Sequence, residues 1–156
     1  MDIHIPADLE ERINIVIHKL KFIAEDQKPR VLVMTAVNSP EYEMNERLSG
    51  LLRMAGARVY DAQVGDGSGK FNPDLILVLA DHFEHLFGDL AVLLSLDEWK
   101  ETNAVKNNRI YLVDRESNLS DDESQLADDL ELLAEIIYPQ YLTYGGNGDK
   151  WIQFDV

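Results

Sequence analysis

The sequence contains no cysteine and is poor in basic residues. The absence of cysteine excludes disulfide bonds, thiolate metal ligands and thiol nucleophiles. Lysine and arginine together number 14, against 29 aspartate and glutamate residues, so the formal net charge is -15. A charge of that sign and size repels phosphate backbones and anionic lipid surfaces. We therefore expect no nucleic-acid partner.

Long hydrophobic runs are also absent. The longest runs, residues 75–80 and 90–94, are too short to span a bilayer, so we expect no membrane insertion. Residues 1–6 lack the basic and apolar regions of a secretory signal, and no cysteine is available for a lipid anchor. These features predict a cytoplasmic location.

A length of 156 residues and a hydrophobic share of 46% are typical of one globular domain. Apolar residues that recur three and four positions apart predict a leading helix over residues 8–26. We assign residues 30–138 to an α/β core and residues 139–156 to a C-terminal tail. Within the tail, residues 141–144 and 151–154 alternate in polarity on either side of a glycine-rich turn. This pattern predicts a C-terminal hairpin.

Four short runs rich in aliphatic residues predict strands. The first and third run show no polar alternation, which is typical of strands buried on both faces of a sheet. The runs are residues 30–35, 58–62, 75–79 and 109–113. Helical patterns separate them, which predicts an α/β, doubly wound (Rossmann-like) three-layer sandwich. Its mostly parallel four-stranded sheet is expected in the order 2-1-3-4, with helices on both faces.

Local signals predict where the later helices begin. Ser39, followed by proline, has the composition of a helix N-cap. Residues 81–84, 95–98 and 120–123 each place an acidic residue three positions after a capping residue, as in a capping box. We therefore expect one helix after the first strand, two short helices after the third strand and one after the fourth.

The region around the last helix is strongly acidic, since Arg115 is its only basic residue between positions 114 and 135. Acidic runs usually form a solvated helix face. We predict that Asp121, Asp122, Asp128 and Glu135 face solvent. A surface for a basic partner is the alternative interpretation.

Polar residues follow the first and third predicted strands. In open parallel sheets, ligands bind beyond the carboxyl ends of the strands where the strand order reverses. The candidate residues after the first strand are Asn38, Ser39, Glu41 and Tyr42, and those after the third strand are Asp81, His82 and His85. We predict that the crevice between these two connections holds whatever the protein binds.

Catalytic chemistry is the less favoured use of these residues. His82 and His85 are three positions apart, so with Asp81 or Glu84 they are candidates for a divalent metal site, or His85 for an acid-base group. We prefer the interpretation in which the two acids cap a helix and the histidines lie on its surface. Ser39 is adequately explained as a helix cap, since no histidine or acid stands at a spacing that would activate it. The sequence identifies no cofactor.

Several stretches resemble one known family. They are Asn72 to Val78, Trp99, residues 104–114 and the pair Tyr138-Pro139. They are similar to the C-terminal lobe of class III substrate-binding proteins, the cobalamin, haem and ferric-siderophore receptors of ABC importers. The resemblance implies a ligand held between two α/β lobes, with contacts from loops at the strand ends. Carried onto this sequence, it adds Asp114 and Arg115 to the candidate residues.

The resemblance leaves three hypotheses, because the N-terminal lobe and an export signal are expected to be missing. In the first, a homodimer rebuilds the cleft and binds a metal chelate or another small molecule. In the second, the lobe has lost transport and is a cytoplasmic protein-interaction or regulatory module. In the third, it is a metal-dependent enzyme that uses His82 and His85. We expect a binding module and no enzyme.

Overall fold

The structure is a computed structural model that describes residues 7–37, 41–42, 44–61, 70–81, 83–115, 119, 123–146, 148 and 150–155, with only the backbone at 83, 84 and 123. The strands are β1 Arg30–Ala36, β2 Glu41–Tyr42, β3 Arg58–Val59, β4 Leu75–Ala80, β5 Ile110–Asp114 and β6 Trp151–Phe154. The helices are α1 Ala7–Leu20, α2 Glu46–Met54, α3 Phe87–Ser95, α4 Asp97–Lys100, α5 Asn103–Lys106 and α6 Leu126–Ile137. Short 3-10 turns occupy Glu25–Gln27, Phe83–Leu86 and Glu123–Gln125.

The strands form one sheet in the order β2-β1-β4-β5-β6, with β3 also paired to β1. Strands β3, β1, β4 and β5 run parallel, which confirms the predicted order 2-1-3-4. Strands β2 and β6 pair antiparallel with β1 and β5. The sheet therefore has six strands instead of the predicted four, because a short strand was added on each side of the parallel set.

Helices cover both faces of the sheet, as the three-layer prediction requires. Alternate residues of each central strand point to opposite faces, so Val31 and Val33 join one core cluster while Leu32 and Met34 join the other. The first cluster also holds buried residues of α1, α2 and α6, and the second holds those of α3, α4 and α5. Strand β4 is buried on both sides, which accounts for its continuous apolar sequence.

Residues before β4 are fixed by a polar network at the amino edge of the sheet. Asp74 accepts hydrogen bonds from the Arg30 backbone amide at 2.9 Å and from Asn103 Nδ2 at 2.9 Å. Asn72 Oδ1 accepts one from the Asn103 amide at 2.7 Å. Burial alone raises the pKa of Asp74, but the bonds from Arg30 and Asn103 outweigh it and hold that pKa below its ordinary value. The Asn-Pro-Asp sequence therefore anchors the beginning of β4, at the opposite end of the sheet from where the parallel strands end.

Helix starts differ from the predicted ones. The helix after β1 begins at Glu46, where Asn45 Oδ1 accepts a hydrogen bond from the Leu48 amide at 2.8 Å. The helix start was predicted at Ser39, which lies outside the described residues. This prediction is wrong, because the chain first forms strand β2, which pairs with β1, before the helix begins. The capping box predicted for residues 95–98 is also wrong, because Ser95 Oγ donates a hydrogen bond back to the Val92 carbonyl at 2.7 Å.

The hairpin predicted for the C-terminal tail is wrong. Residues 151–154 do form a strand, but it pairs with β5, with Trp151 opposite Val113 and Phe154 opposite Ile110. Residues 142–144 have no regular structure. The edge of β5 would otherwise be open, and it offers the tail a full ladder of backbone hydrogen bonds.

The acidic face of α6 is only partly exposed. Asp128 faces solvent as predicted, with 51% of its side chain exposed. Glu135 is only 3% exposed, so its predicted solvent exposure is wrong, and Asp129, next to Asp128, is only 2% exposed. Asp121 and Asp122 lie outside the described residues. Both buried carboxylates are held by hydrogen bonds that bring distant segments to the helix.

Candidate functional site

The carboxyl ends of β1, β4 and β5 meet at one edge of the sheet, here called the carboxyl edge. Met34 of β1 lies opposite Val78 of β4, and Ala80 of β4 lies opposite Asp114 of β5. The chain that leaves β1 continues into α2 on one face, whereas the chain that leaves β4 continues into α3 on the other face. The strand order therefore reverses between β1 and β4, and such a reversal opens a crevice beyond the strand ends.

Four predicted residues meet at the carboxyl edge. Asp81 is exposed directly after β4, and His85 is exposed in the turn that follows it. Asp114 is the last residue of β5, Arg115 directly follows it, and both are half-buried. The Arg115 amide donates to the Ala80 carbonyl at 3.2 Å, which ties the ends of the two strands together. Two acidic residues, one arginine and one histidine therefore lie at the ends of the neighbouring strands β4 and β5 or in the turn after β4.

Glu41 and Tyr42 lie at the side of the sheet, away from these four residues. They pair antiparallel with β1, Glu41 opposite Ala36 and Tyr42 opposite Met34. Directly opposed residues in such a pair point to the same face, so Tyr42 shares the face of Met34, which α3, α4 and α5 cover. Burial, and then the negative charge of Glu98 in α4, raise the pKa of Tyr42. The two residues therefore flank the crevice.

Three other predicted residues cannot be placed. Asn38, Ser39 and His82 lie outside the described residues, so the metal pair His82 and His85 stays a prediction. Within the described part of the chain, no group of three or more histidine, aspartate or glutamate side chains has the arrangement of a metal site. No described helix is both long and apolar enough to cross a membrane.

The sequence interpretation missed one contributor to the carboxyl edge. Because β6 pairs with β5, the backbone of Lys150 comes to that edge, where its carbonyl accepts a hydrogen bond from the Asp114 amide at 3.3 Å. Trp151, the next residue, is buried against Tyr111 with ring centroids 5.6 Å apart. The alternation of residues 151–154 was the available signal, but it was assigned to a hairpin.

A buried polar cluster lies where α2 and α6 begin, on the face of the sheet that these two helices cover. Asp129 Oδ2 accepts a hydrogen bond from Arg47 Nη2 at 3.0 Å, and Asp129 Oδ1 accepts one from the Leu119 amide at 3.0 Å. Burial of Asp129 raises the pKa of its carboxyl, and the bonds from Leu119 and Arg47 oppose that rise without cancelling it.

The comparisons with known proteins give matches among solved structures. No family model and no curated protein matches the sequence. An ABC transporter substrate-binding protein from Listeria monocytogenes matches with 24% identity and a TM-score of 0.65, covering 85% of this chain and 55% of that one. A periplasmic haem-binding protein from Pseudomonas aeruginosa matches with 17% identity and a TM-score of 0.69, covering 96% and 56%. IsdE from S. aureus, complexed with haem, matches with 19% identity and a TM-score of 0.62, covering 84% and 55%.

The resemblance to class III substrate-binding proteins is confirmed. The identities are low, so what the chain shares with these proteins is the fold. It spans about half of their length. The predicted cytoplasmic location is wrong: one matched structure is a periplasmic haem-binding protein and another is an ABC transporter substrate-binding protein. That prediction depended on where the sequence begins, which is uninformative for a chain that matches only part of longer proteins.

Proposed function

We propose that the chain is a ligand-binding module that forms one wall of a site for a small metal chelate, with haem as the leading candidate. The observation that carries the proposal is the reversal of strand order between β1 and β4, with Asp81, His85, Asp114 and Arg115 placed at the carboxyl edge beside it. Crevices of this type are the usual ligand sites of open α/β sheets.

The ligand class is supported by the matched structures and by the side chains at the edge. Two of the three matched structures described above have haem in their names. The imidazole of His85 is a suitable ligand for iron, and the guanidinium of Arg115 is suited to the carboxylates of a haem edge. We propose binding without catalysis, because the matched proteins are binding proteins and not enzymes.

A second wall is needed, because one lobe presents only one side of such a cleft. It is supplied either by a second copy of the lobe or by further chain of a longer protein. We propose the homodimer for the chain as given, since it needs no other component. The binding stoichiometry then is one ligand for two chains.

The experiment is a titration with ferric haem, followed by absorbance, together with native mass spectrometry. We expect a saturable complex of two chains and one haem. Replacement of His85 by alanine should weaken binding at least about tenfold, since even supporting residues around a metal are worth that much. His18→Ala is the matched control, because His18 is exposed on α1.

Two results would contradict the proposal. One is the absence of any saturable haem complex. The other is a complex whose affinity is reduced equally by His85→Ala and His18→Ala, which would place the ligand away from the carboxyl edge. A complex of one chain and one haem would reject the homodimer and keep the lobe itself as the binding unit.

A further inference from the structure

Helix α3 has an apolar outer side. Phe87, Val92 and Leu96, the residue directly after the helix, are 38%, 66% and 52% exposed. Ala91 is exposed as well, and Asp89 is the only charged residue of the helix. A helix that is apolar on its outer side as well as on its core side is usually buried on both sides. We call the exposed residues Phe87, Gly88, Ala91, Val92 and Leu96 the α3 surface.

Two other helices expose charged side chains on their outer sides. Helix α1 exposes Glu10, Glu11 and Lys19, and helix α6 exposes Asp128. Single exposed apolar residues are common in proteins, but several that lie next to each other mark a contact surface. The α3 surface therefore lacks the charged groups that favour contact with water on α1 and α6.

The α3 surface continues onto strand β6. The ring centroids of Phe87 and Phe154 are 6.1 Å apart. Phe154 and Ile152 are half-buried and pack against the core cluster to which α3 contributes. The hydroxyl of Ser95, in the last turn of α3, donates a hydrogen bond to the Val92 carbonyl at 2.7 Å, so it does not depend on water for a partner. A continuous apolar area thus reaches from the helix to the edge strand.

The charge of the chain restricts what can cover this surface. A net charge of -15 repels anionic partners such as nucleic acids and acidic lipid surfaces. A basic partner is attracted to carboxylates, and the α3 surface contains none. Two copies of this chain also repel each other, but they do so least where neither copy carries a charge. A second copy is therefore the occupant that fits the charge of this surface.

The shape of the surface suits contact with itself. In a twofold dimer the same patch lies on both sides, so large residues of one copy must meet small residues of the other. Val92 is large and strongly exposed, whereas Gly88 leaves a hollow, because a Cβ built there would meet nothing within 4 Å. The two residues are four positions apart and so are neighbours on the helix. An antiparallel pair of α3 helices can therefore place each Val92 over the Gly88 of the other copy.

We propose that the α3 surface is the interface at which a second copy of this chain packs, with the two α3 helices antiparallel. The 3-10 turn Phe83–Leu86, which carries His85, leads directly into α3, so the second copy lies beside that turn. The inference rests on the proposed function only for the shared ligand, since it names the interface of the homodimer that holds it. The interface itself can be measured without any ligand.

Sedimentation equilibrium of the ligand-free chain measures the association. We expect a dimer of the wild type. Val92→Asp should raise the dissociation constant of the dimer at least about tenfold, because it places unpaired carboxylates of both copies in an apolar interface. Ile15→Asp is the matched control, since Ile15 is 44% exposed on α1 and the substitution adds the same charge. This control should stay within about twofold of the wild-type dissociation constant.

Gly88→Gln tests the hollow without adding a charge. Glutamine favours a helix more than glycine does, and a Cβ has space at this position in the single chain, so urea unfolding of the dilute variant should show no loss of stability. The filled hollow should still weaken the dimer about tenfold, as overpacking does. Gly50→Gln in α2 is the control, because a Cβ there also meets nothing within 4 Å. It should leave the dimer unchanged.

Two results would overturn the interface. One is a wild-type chain that stays monomeric up to about 1 mM, with and without haem. The other is a dimer that Val92→Asp and Ile15→Asp weaken to the same extent. A dimer that Val92→Asp weakens, but that Gly88→Gln and Gly50→Gln leave equally strong, would reject the antiparallel pairing of the two helices.

Haem separates this inference from the proposed function. If the ligand-free dimer forms through the α3 surface and no haem binds, the proposed function fails and the interface stands. If haem binds between the two copies, Val92→Asp should lower the affinity for ferric haem about tenfold, because association of the copies and binding of the ligand are then linked. Ile15→Asp should leave that affinity unchanged. Equal haem affinity in the two variants would overturn the claim that this dimer holds the ligand.

Discussion

Two carboxylates on α6 are equally shielded from solvent, but their pKa values shift in opposite directions. Asp129, in the first turn, is 2% exposed, and Glu135, near the other end, is 3% exposed. Burial raises the pKa of both side chains, because it disfavours the charged form. The pKa of Asp129 stays above its ordinary value, whereas the pKa of Glu135 falls below its own. Equal exposure to solvent therefore does not give the same direction of pKa shift.

The two carboxylates differ in their depth within the protein and in the hydrogen bonds that they accept. Glu135 Oε2 accepts hydrogen bonds from the Tyr144 and Gly145 amides, the latter at 2.8 Å, and Oε1 accepts them from the Gly146 amide at 3.0 Å and Trp151 Nε1 at 2.8 Å. The bond from Trp151 contributes most to lowering its pKa, followed by those of the amides. Asp129 receives one amide and one guanidinium. Four neutral donors outweigh the burial of Glu135, whereas one amide and one guanidinium do not offset the deeper burial of Asp129.

Each end of α6 holds a different part of the carboxyl edge. The Asp129 end holds the connection after β5 through Leu119. The Glu135 end holds Trp151, and with it β6, whose pairing brings Lys150 to the edge. Removal of the charge or of the donors at either end therefore tests whether the two ends of α6 have different roles.

The largest effect is expected for Glu135→Gln. The amide nitrogen of glutamine would face two of the four donors, and each buried group left unsatisfied costs about 1–3 kcal/mol, so the free energy of unfolding should fall by about 2–4 kcal/mol. Urea unfolding measures the change. Asp128→Asn is the matched control on the exposed side of the same helix, and it should stay within about 0.5 kcal/mol of wild type. Equal losses in the two variants would contradict the importance of the four donors.

A smaller loss is expected for Gly146→Ala. A Cβ at this position would lie 2.9 Å from Glu135 Oε1 and 3.1 Å from Trp151 Nε1, so it would push the acceptor and one donor apart. Overpacking of this kind costs about 1–3 kcal/mol. Gly50→Ala is the control: its Cβ would meet nothing within 4 Å in the middle of α2, and removing a helical glycine should stabilise by about 0.5–1 kcal/mol. Thermal unfolding of both variants should show shifts of opposite sign.

The parallel sheet could be predicted because its signal is local. Strand β4 and its neighbours are buried on both faces, so their sequences carry continuous apolar runs that need no knowledge of the partner strand. The two added strands could not be found this way. β2 is two residues long, and β6 pairs only because the edge of β5 is available to it. Pairing between distant segments leaves little trace in either segment alone.

The positions of the candidate residues could be predicted from the sequence, but the buried carboxylates that hold the nearby segments could not. The rule that ligands bind where strand order reverses singled out Asp81 and His85, and the family resemblance added Asp114 and Arg115. All four lie at or just beyond the ends of β4 and β5, and their role in ligand binding stays a prediction. The burial of Asp129 and Glu135 was missed, because an acidic residue in a helix has the same sequence pattern whether water or backbone amides surround it. The nearest signal is the glycine pair at 145 and 146, which gives a carboxylate close access to backbone amides.

The smallest effect is a difference in pH dependence between the two ends of α6. Glu135 contributes stability that is fully present above its unfolded pKa, near 4.5, and that is lost as the pH falls through its lower folded pKa. Asp129 has a raised folded pKa, so its contribution is fully present below its unfolded pKa, near 3.8, and is lost as the pH rises through the folded value. The two residues therefore give slopes of opposite sign on the two sides of about pH 4.

Urea unfolding between about pH 2.5 and 6 measures both slopes. This range extends roughly two pH units to either side of the ordinary carboxyl pKa values, which lie near 4. Glu135→Gln should flatten the rise of unfolding free energy with pH on the acid side, because the variant has no proton to release there. Asp129→Asn should remove the fall on the less acid side and leave the acid side unchanged. If both variants flatten the same side of the profile, then burial outweighs the donors at both ends, or the donors outweigh burial at both. In either case the contrast between the two carboxylates would not be the reason for the different roles of the two helix ends.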